Sequence, residues 1–287
     1  MKHSALIICT MALVLPAGLA TGPALADEAR LQTVLDAQPE ETQARYSHRH
    51  PRQTLEFFGI EPGMTVLEAL PGGGWYTRIL LPYLGADGTL IGADYSREMF
   101  PLFGFFSEEQ LEAKKTWVED FKADANGWSG EDGAAVEAFA FGSMPGELKN
   151  RADAVLLIRA LHNLNRFESQ GGFLSAALAD VHSVLKPGGI VGVVQHRAPA
   201  EMPDEWADGS HGYLKQDFVI ERMKAAGFEF IAASEVNANA KDQPGEADIV
   251  WRLPPTLATS RDNPELAEAM KAIGESDRMT LLFRKPE

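Results

Sequence analysis

The chain has 287 residues, 45% of them hydrophobic and 23% charged, which is enough apolar material for one large domain or two small ones. Its 26 basic and 41 acidic residues give a formal charge of −15, which repels phosphate backbones and anionic bilayers and so sets aside nucleic acid as a partner. Cys9 is the only cysteine, so no disulfide, thiolate metal site or cysteine nucleophile can be built downstream of it.

The elements begin with an apolar leader. Met1-Lys2-His3 is a short basic start, Ser4 to Leu15 is mostly apolar, and Ala24-Leu25-Ala26 supplies small residues at the positions that signal peptidase reads. Residues 1–26 are therefore expected to be a secretory signal cleaved before Asp27. The apolar run is too short to span a bilayer. The expected product is periplasmic or secreted, with no stable membrane association after cleavage. Residues 27–58 read as a polar helical arm containing the dense stretch Tyr46-Ser47-His48-Arg49-His50-Pro51. His48 and His50 stand two apart, but with no cysteine and no neighbouring carboxylate pattern no metal site is expected.

From residue 59 strands and helices alternate, the pattern of a parallel sheet covered by helices on both faces. Pro62-Gly63 marks a turn and Met64–Ala69 a buried strand. A helix bent at Pro82 is expected from about Trp75 to Gly85, with Ile79, Leu80, Tyr83 and Leu84 inward. Thr89–Ala93 is the second strand, ending at Asp94. Ser107-Glu108-Glu109-Gln110 is a capping box for a helix reaching about Phe121, and Asn126–Gly133 reads as a loop. Ala135–Phe141 and Ala154–Ile158 are the third and fourth strands. Leu174, Leu178, Val181 and Leu185 share one face of a helix that Pro187-Gly188-Gly189 ends, before a fifth strand at Ile190–Val194. Asp217 is expected to cap a further helix, Phe228–Ala232 is a sixth strand, and Met279–Arg284 is the last. The polar stretch 237–276 reads as a late insertion in a domain spanning 59–287.

The stretch "VLEALPGGGWYTRIL" places Gly72, Gly73 and Gly74 directly after the first strand, where backbone N–H groups can approach a ligand without side chains between. Asp94, twenty residues after Gly74, ends the second strand, where a carboxylate can accept ribose hydroxyls. Together they point to a nucleoside-containing cofactor. A nicotinamide dinucleotide wants G-x-G-x-x-G, which Gly72 to Thr77 fills except for Thr77. S-adenosylmethionine wants an acidic residue and then spaced glycines, which Glu68 to Gly74 supplies.

With "VLEALPGGG", "IGADYS", "ADAVLLIRALHNL", "VHSVLKPGGIVGVV", "MKAAGFEFIAASEV" and "RMTLLFRKP", the chain resembles the class I S-adenosylmethionine-dependent methyltransferases over roughly Gly59 to Lys285. "RHPRQTLEFFGIEPGMTV" and "PGGGWYTRIL" further resemble a group of predicted exported bacterial methyltransferases. The resemblance implies an α/β, Rossmann-like seven-stranded sheet, mostly parallel with the last strand antiparallel. It implies S-adenosyl-L-methionine as cofactor, bordered by Gly72 to Gly74. Glu68 would orient the loop or meet the amino group, Asp94 would bind the ribose and Tyr95 would pack on the adenine. Ser143 stands where the family often has an acidic adenine contact, and Arg49 would reach the cofactor carboxylate if the arm folds over the site. Leu70 replaces the family's first glycine.

Methyl transfer needs alignment and, for a weakly acidic nucleophile, a base. The ends of strands four and five offer His162 first and His196 second for that task, because imidazole titrates near neutral pH. Arg159 and Arg197 are candidates to hold an anionic acceptor, with Asn163 beside them. Trp75 and Tyr76 either wall the acceptor pocket or belong to the core. The acceptor is a small molecule or a side chain. A second reading is a non-catalytic nucleoside-cofactor binder or sensor, motivated by expected export away from the compartment that makes the cofactor. A nicotinamide oxidoreductase is disfavoured by Thr77 and "LKPGG".

Overall fold

The computed structural model describes residues 23–287, with side chains from Asp27 on; residues 1–22 of the expected signal lie outside the described residues. The arm consists of α1 (Pro23–Asp36), α2 (Glu40–Gln43), α3 (Tyr46–Arg49) and α4 (Pro51–Phe57). His50 joins the last two in a left-handed conformation with φ 41°. The domain then runs through β1 (Thr65–Ala69), α5 (Thr77–Leu84), β2 (Thr89–Asp94), α6 (Glu108–Ala113), α7 (Trp117–Ser129), β3 (Ala135–Ala140) and β4 (Ala152–Ile158). It continues with α8 (Leu161–Arg166), α9 (Glu168–Gly171), α10 (Phe173–Val184), β5 (Leu185–His196), α11 (Gln216–Ala225), β6 (Glu229–Ser234), α12 (Pro264–Ile273) and β7 (Arg278–Arg284).

The seven strands lie in the order β3-β2-β1-β4-β5-β7-β6. The first five are parallel, and β7 runs antiparallel to both β5 and β6. Central β1 and β2 are buried on both faces, as parallel strands covered by helices are. Alternate residues feed two cores. Leu67, Ala69, Ile91 and Val155 pack with α10 and α11 on one face. Val66, Leu90 and Leu156 pack with Leu31, Leu55, Phe58 and the α5 residues Ile79, Leu80 and Leu84 on the other. Glu68 points to this second face by the same alternation. Among the described residues no helix is long and apolar enough to cross a membrane.

Three local expectations are corrected. The helix expected to stop near Phe121 runs in two pieces, α6 and α7, to Ser129, replacing the first half of the expected loop at 126–133. Packing overrides the polar composition there: Ala125 is fully buried and the Arg78 guanidinium sits 4.1 Å above the Trp128 ring. The Lys-Pro-Gly-Gly segment is part of β5, entering through a register shift opposite Ala152 and Ala154. Asp217 lies in the first turn of α11 but does not cap it; Lys215 stands at the cap position and makes no side-chain cap bond. The Ser107–Gln110 capping box forms as expected.

Candidate functional site

In an open parallel sheet ligands bind beyond the carboxyl ends of the strands, where the strand order reverses. Here that point lies between β1 and β4, and a cavity of about 440 Å³ opens beside it. The turn after β1 contributes Leu70 and Gly72, and the end of β2 contributes Asp94 and Tyr95. Arg159 and His162 come from the end of β4, and His196 ends β5. Phe100, Phe106, Lys114 and Trp117 form one wall, and Trp251, Pro254, Glu275 and Ser276 close over from the 237–276 segment. A larger cleft of about 1010 Å³ lies beside the start of α11. It receives Arg197, which is held by Glu235 at 2.7 Å and Asp277 at 2.8 Å and is therefore not free to hold an acceptor.

The glycine turn has a glycine's backbone where the sequence has none. Leu70 takes φ 54° and Gly72 φ 56°, and the Leu70 N–H donates to the Ala93 carbonyl at 2.7 Å. A Cβ on Gly74 would run into the Trp128 ring, so this glycine serves close packing while Gly72 and Gly73 are exposed. Glu68 is buried beneath the turn and accepts the Thr77 hydroxyl at 2.6 Å, which ties β1 to the start of α5. Burial pushes its carboxyl up to about 7, against the Thr77 hydrogen bonds. It orients the turn and does not line the cavity.

Asp94 is buried, and each of its oxygens is engaged: one accepts the Tyr95 N–H at 2.9 Å, the other the Lys114 ammonium at 3.0 Å. Burial raises its carboxyl above the usual range, and Lys114 opposes that rise. Lys114 also sits 4.6 Å over the Phe100 ring. Tyr95 packs against Phe100 and Phe103, and its hydroxyl accepts from the Asn163 amide at 3.0 Å. Asn163 thus reaches the cavity only through Tyr95. Ser143 is exposed, donates to the Ala140 carbonyl and lies away from the cavity.

The two imidazoles are neighbours, 5.3 Å apart between ring centres. Burial holds His162 down at about 4 and His196 well below its ordinary value, so both are neutral at pH 7. The His162 Nδ1 faces the Gln195 amide oxygen at 3.4 Å, and the His196 Nδ1 pairs with the Ser276 hydroxyl at 2.5 Å. Trp75 and Tyr76 do not wall the cavity. They join the core on the arm side, where Tyr46 meets Trp75 edge-on and the Arg49 guanidinium lies 4.5 Å over the Trp75 ring.

Arg49 is buried and spends its charge on Glu275, at 3.2 Å. Glu275 is also paired with Arg45 and, at 3.1 Å, with Arg278. Burial pushes the Glu275 carboxyl up, but the Arg278, Arg49 and Arg45 guanidiniums outweigh this and hold it at about 2. The guanidiniums show the reverse: burial lowers Arg49 to about 10 and also lowers Arg278 and Arg159, because one carboxylate cannot compensate so many cations. Sequence reasoning missed Lys114, Trp251, Glu275, Ser276 and Arg278. The available signals were "VWRLPP", an apolar island in a polar stretch, and the charged "ESDR" that leads into the last strand.

No family model matches the chain. It is 26% identical over 219 residues to the sterol 24-C-methyltransferase ERG6B of Gibberella zeae, covering 71% of this chain and 49% of that protein. It is 40% identical over 47 residues to the ribosomal RNA small subunit methyltransferase H of Solidesulfovibrio magneticus, 16% of this chain and 14% of that one. The chain therefore spans about half the length of the first relative and much less of the second. Among solved structures it is similar to a chain of a complex that contains the Haloferax volcanii Trm112 methyltransferase activator, with TM-score 0.51 and 16% identity, covering 92% of this chain and 97% of that one. The cyclase SpnF superposes with TM-score 0.51 and 19% identity, covering 83% and 80%. Strand order, sheet polarity and these likenesses give the chain the Rossmann-like fold of the class I methyltransferases.

Proposed function

We propose that the protein transfers a methyl group from S-adenosyl-L-methionine to a small-molecule or side-chain acceptor. The observation that carries this reading is one cavity with two sides. The open backbone of Gly72 and the carboxylate of Asp94 stand on the β1–β2 side, and two neutral imidazoles, His162 buried and His196 partly exposed, on the β4–β5 side. Its volume, about 440 Å³, falls in the range of small-molecule sites. The donor set suits the cofactor: exposed amides after β1, a carboxylate for ribose hydroxyls, and Tyr95, Phe100, Phe106 and Trp117 as aromatic surfaces for a purine. When bound, the cofactor supplies a methyl group on a cationic sulfur that a nucleophile displaces in line. The chain's own task is alignment and removal of the acceptor's proton. The neutral His162 has a free lone pair for that proton, and Trp251 lies edge-on to its ring. The fold alone does not fix the chemistry, as the cyclase neighbour illustrates.

Titrating S-adenosylmethionine and S-adenosylhomocysteine into the purified protein, with Asp94→Ala as control, is the direct test. Binding in the micromolar range that drops at least tenfold in the variant is the expected result. No heat at millimolar ligand would overturn the reading. Binding without methyl transfer across broad acceptor panels would leave the sensor reading in its place. We also propose, from residues 1–26, that the protein is exported and cleaved before Asp27. N-terminal sequencing of the protein recovered from cell fractions decides that.

A further inference from the structure

Arg159 is the one cavity arginine that the surrounding acids leave unmatched. It makes no side-chain hydrogen bond or ion pair among the described residues, although burial is the main cause of its lowered pKa. The carboxylates nearby are spoken for. Glu275 is shared by Arg45, Arg49 and Arg278, Asp94 is paired with Lys114, and Asp277 is paired with Arg197. Arg159 is only partly buried, and a guanidinium that lines a cavity without a counter-ion is poised to take an anion in a bidentate fork. The backbone gives a second, independent sign. Arg159 sits at φ 57°, a left-handed conformation that a long side chain adopts only where the surroundings enforce it, and its N–H donates to the Val194 carbonyl at 2.6 Å. From the end of β4 the side chain lines the cavity, together with His162 and His196.

We propose that Arg159 receives a carboxylate or phosphate group of the methyl acceptor, so that the acceptor is a small anionic molecule. The inference rests on the methyl-transfer reading and adds the substrate class. It also removes an electrostatic conflict. A cationic sulfur entering a cavity that already holds an unmatched guanidinium meets a like charge in a low-dielectric site, and an anion bound between them relieves both. Anion and cofactor should therefore bind cooperatively, and more so for the sulfonium than for the neutral thioether. The same anion would raise the affinity of the nearby imidazole for the proton it has to accept.

The test uses benzoate and phenyl phosphate as probes. Each is titrated into wild type, Arg159→Gln and Arg159→Lys, with and without saturating S-adenosylhomocysteine. The expected result is that one probe binds wild type, loses at least tenfold in Arg159→Gln and keeps an intermediate affinity in Arg159→Lys. S-adenosylhomocysteine should bind all three proteins within about twofold. The probe should also tighten S-adenosylmethionine by about fivefold, and S-adenosylhomocysteine by less. The proposal is overturned if neither probe binds wild type at tens of millimolar, or if the probe binds Arg159→Gln equally well. It is also overturned if Arg159→Gln weakens S-adenosylhomocysteine tenfold but leaves 5′-methylthioadenosine unchanged, which would assign Arg159 to the cofactor's own carboxylate. A flat S-adenosylhomocysteine titration on wild type marks failure of the methyl-transfer reading itself, visible before any anion is added. Thermal melts establish that each variant is folded, and Arg159→Lys carries the test if Arg159→Gln is not.

Discussion

At Leu70 the backbone does what glycine would do and the side chain does not get out of the way. Left-handed φ costs a residue with a Cβ about 1–2 kcal/mol, and Leu70 takes it at φ 54°. The conformation holds because the Leu70 N–H bonds Ala93 and the half-buried side chain packs against the sheet core. Leu70→Gly would remove the strain and the packing together, two effects of similar size and opposite sign. The melting temperature should therefore shift by only a few degrees. Binding should change more, because a side chain leaves the cavity wall: S-adenosylhomocysteine is expected to bind about fivefold tighter, roughly 1 kcal/mol. Weaker binding by calorimetry would mean that the leucine contacts the ligand and would sink this account.

At the scale of elements, the arm, the 237–276 segment and the sheet meet at Glu275. Arg45 and Arg49 come from the arm, Arg278 from β7, and Arg278 also donates to the His48 carbonyl at 2.5 Å. Removing one partner of a buried ionic cluster leaves charge uncompensated, at about 3–5 kcal/mol. Glu275→Gln should therefore lower unfolding free energy by about that amount and expose the 37–50 region of the arm to protease. Arg45→Gln, at a half-exposed position, should do much less. A loss below about 1 kcal/mol for Glu275→Gln in denaturant melts would contradict the hub role. This cluster also marks the limit of what could be read from the chain alone. Periodicity and turn residues were sufficient to place the strands except the early start of β5, and Gly72 and Asp94 were visible because both sit at strand ends, where topology fixes their position. Glu275 could not be found that way, because its partner Arg49 is 226 residues away and nothing local distinguishes it. Arg49 was expected to face a cofactor carboxylate. A protein carboxylate takes its charge instead, and Trp75 and Tyr76 go with it into the arm's core.

Across the whole molecule, buried titratable groups pull stability in opposite directions with pH, and their ranges predict where it peaks. His162 is held at about 4 against 6.5 unfolded, and His196 is lowered too, so the unfolded chain takes up protons there first and stability falls as pH drops below 6.5. Glu275, held at about 2 against 4.5, adds a further loss as pH falls below 4.5. Glu68 acts the other way. Its carboxyl is raised from 4.5 to about 7, so the folded state holds the proton longer and stability is lost as pH rises through that interval. Between 4.5 and 6.5 the lowered imidazoles of His162 and His196, joined by His50 and His182, oppose the raised carboxyls of Glu68, Asp94 and Asp180, and the net slope is upward with pH. Above 6.5 only Glu68 still acts, and its effect ends near 7. Stability should therefore peak close to pH 6.5, fall steeply on the acid side and settle slightly lower on the alkaline side. The shape can be taken apart by mutation. Glu68→Gln keeps an acceptor for Thr77 without the charge, so it should raise the melting temperature at pH 8 and leave it unchanged at pH 4, removing the alkaline step. His162→Gln should make the limb between pH 6.5 and 4 shallower. Denaturant melts across pH 3–9 on the three proteins would show it. A maximum below pH 5, or a wild-type profile that neither substitution alters, would mean that the surface charge of −15, and not these buried groups, governs the pH response.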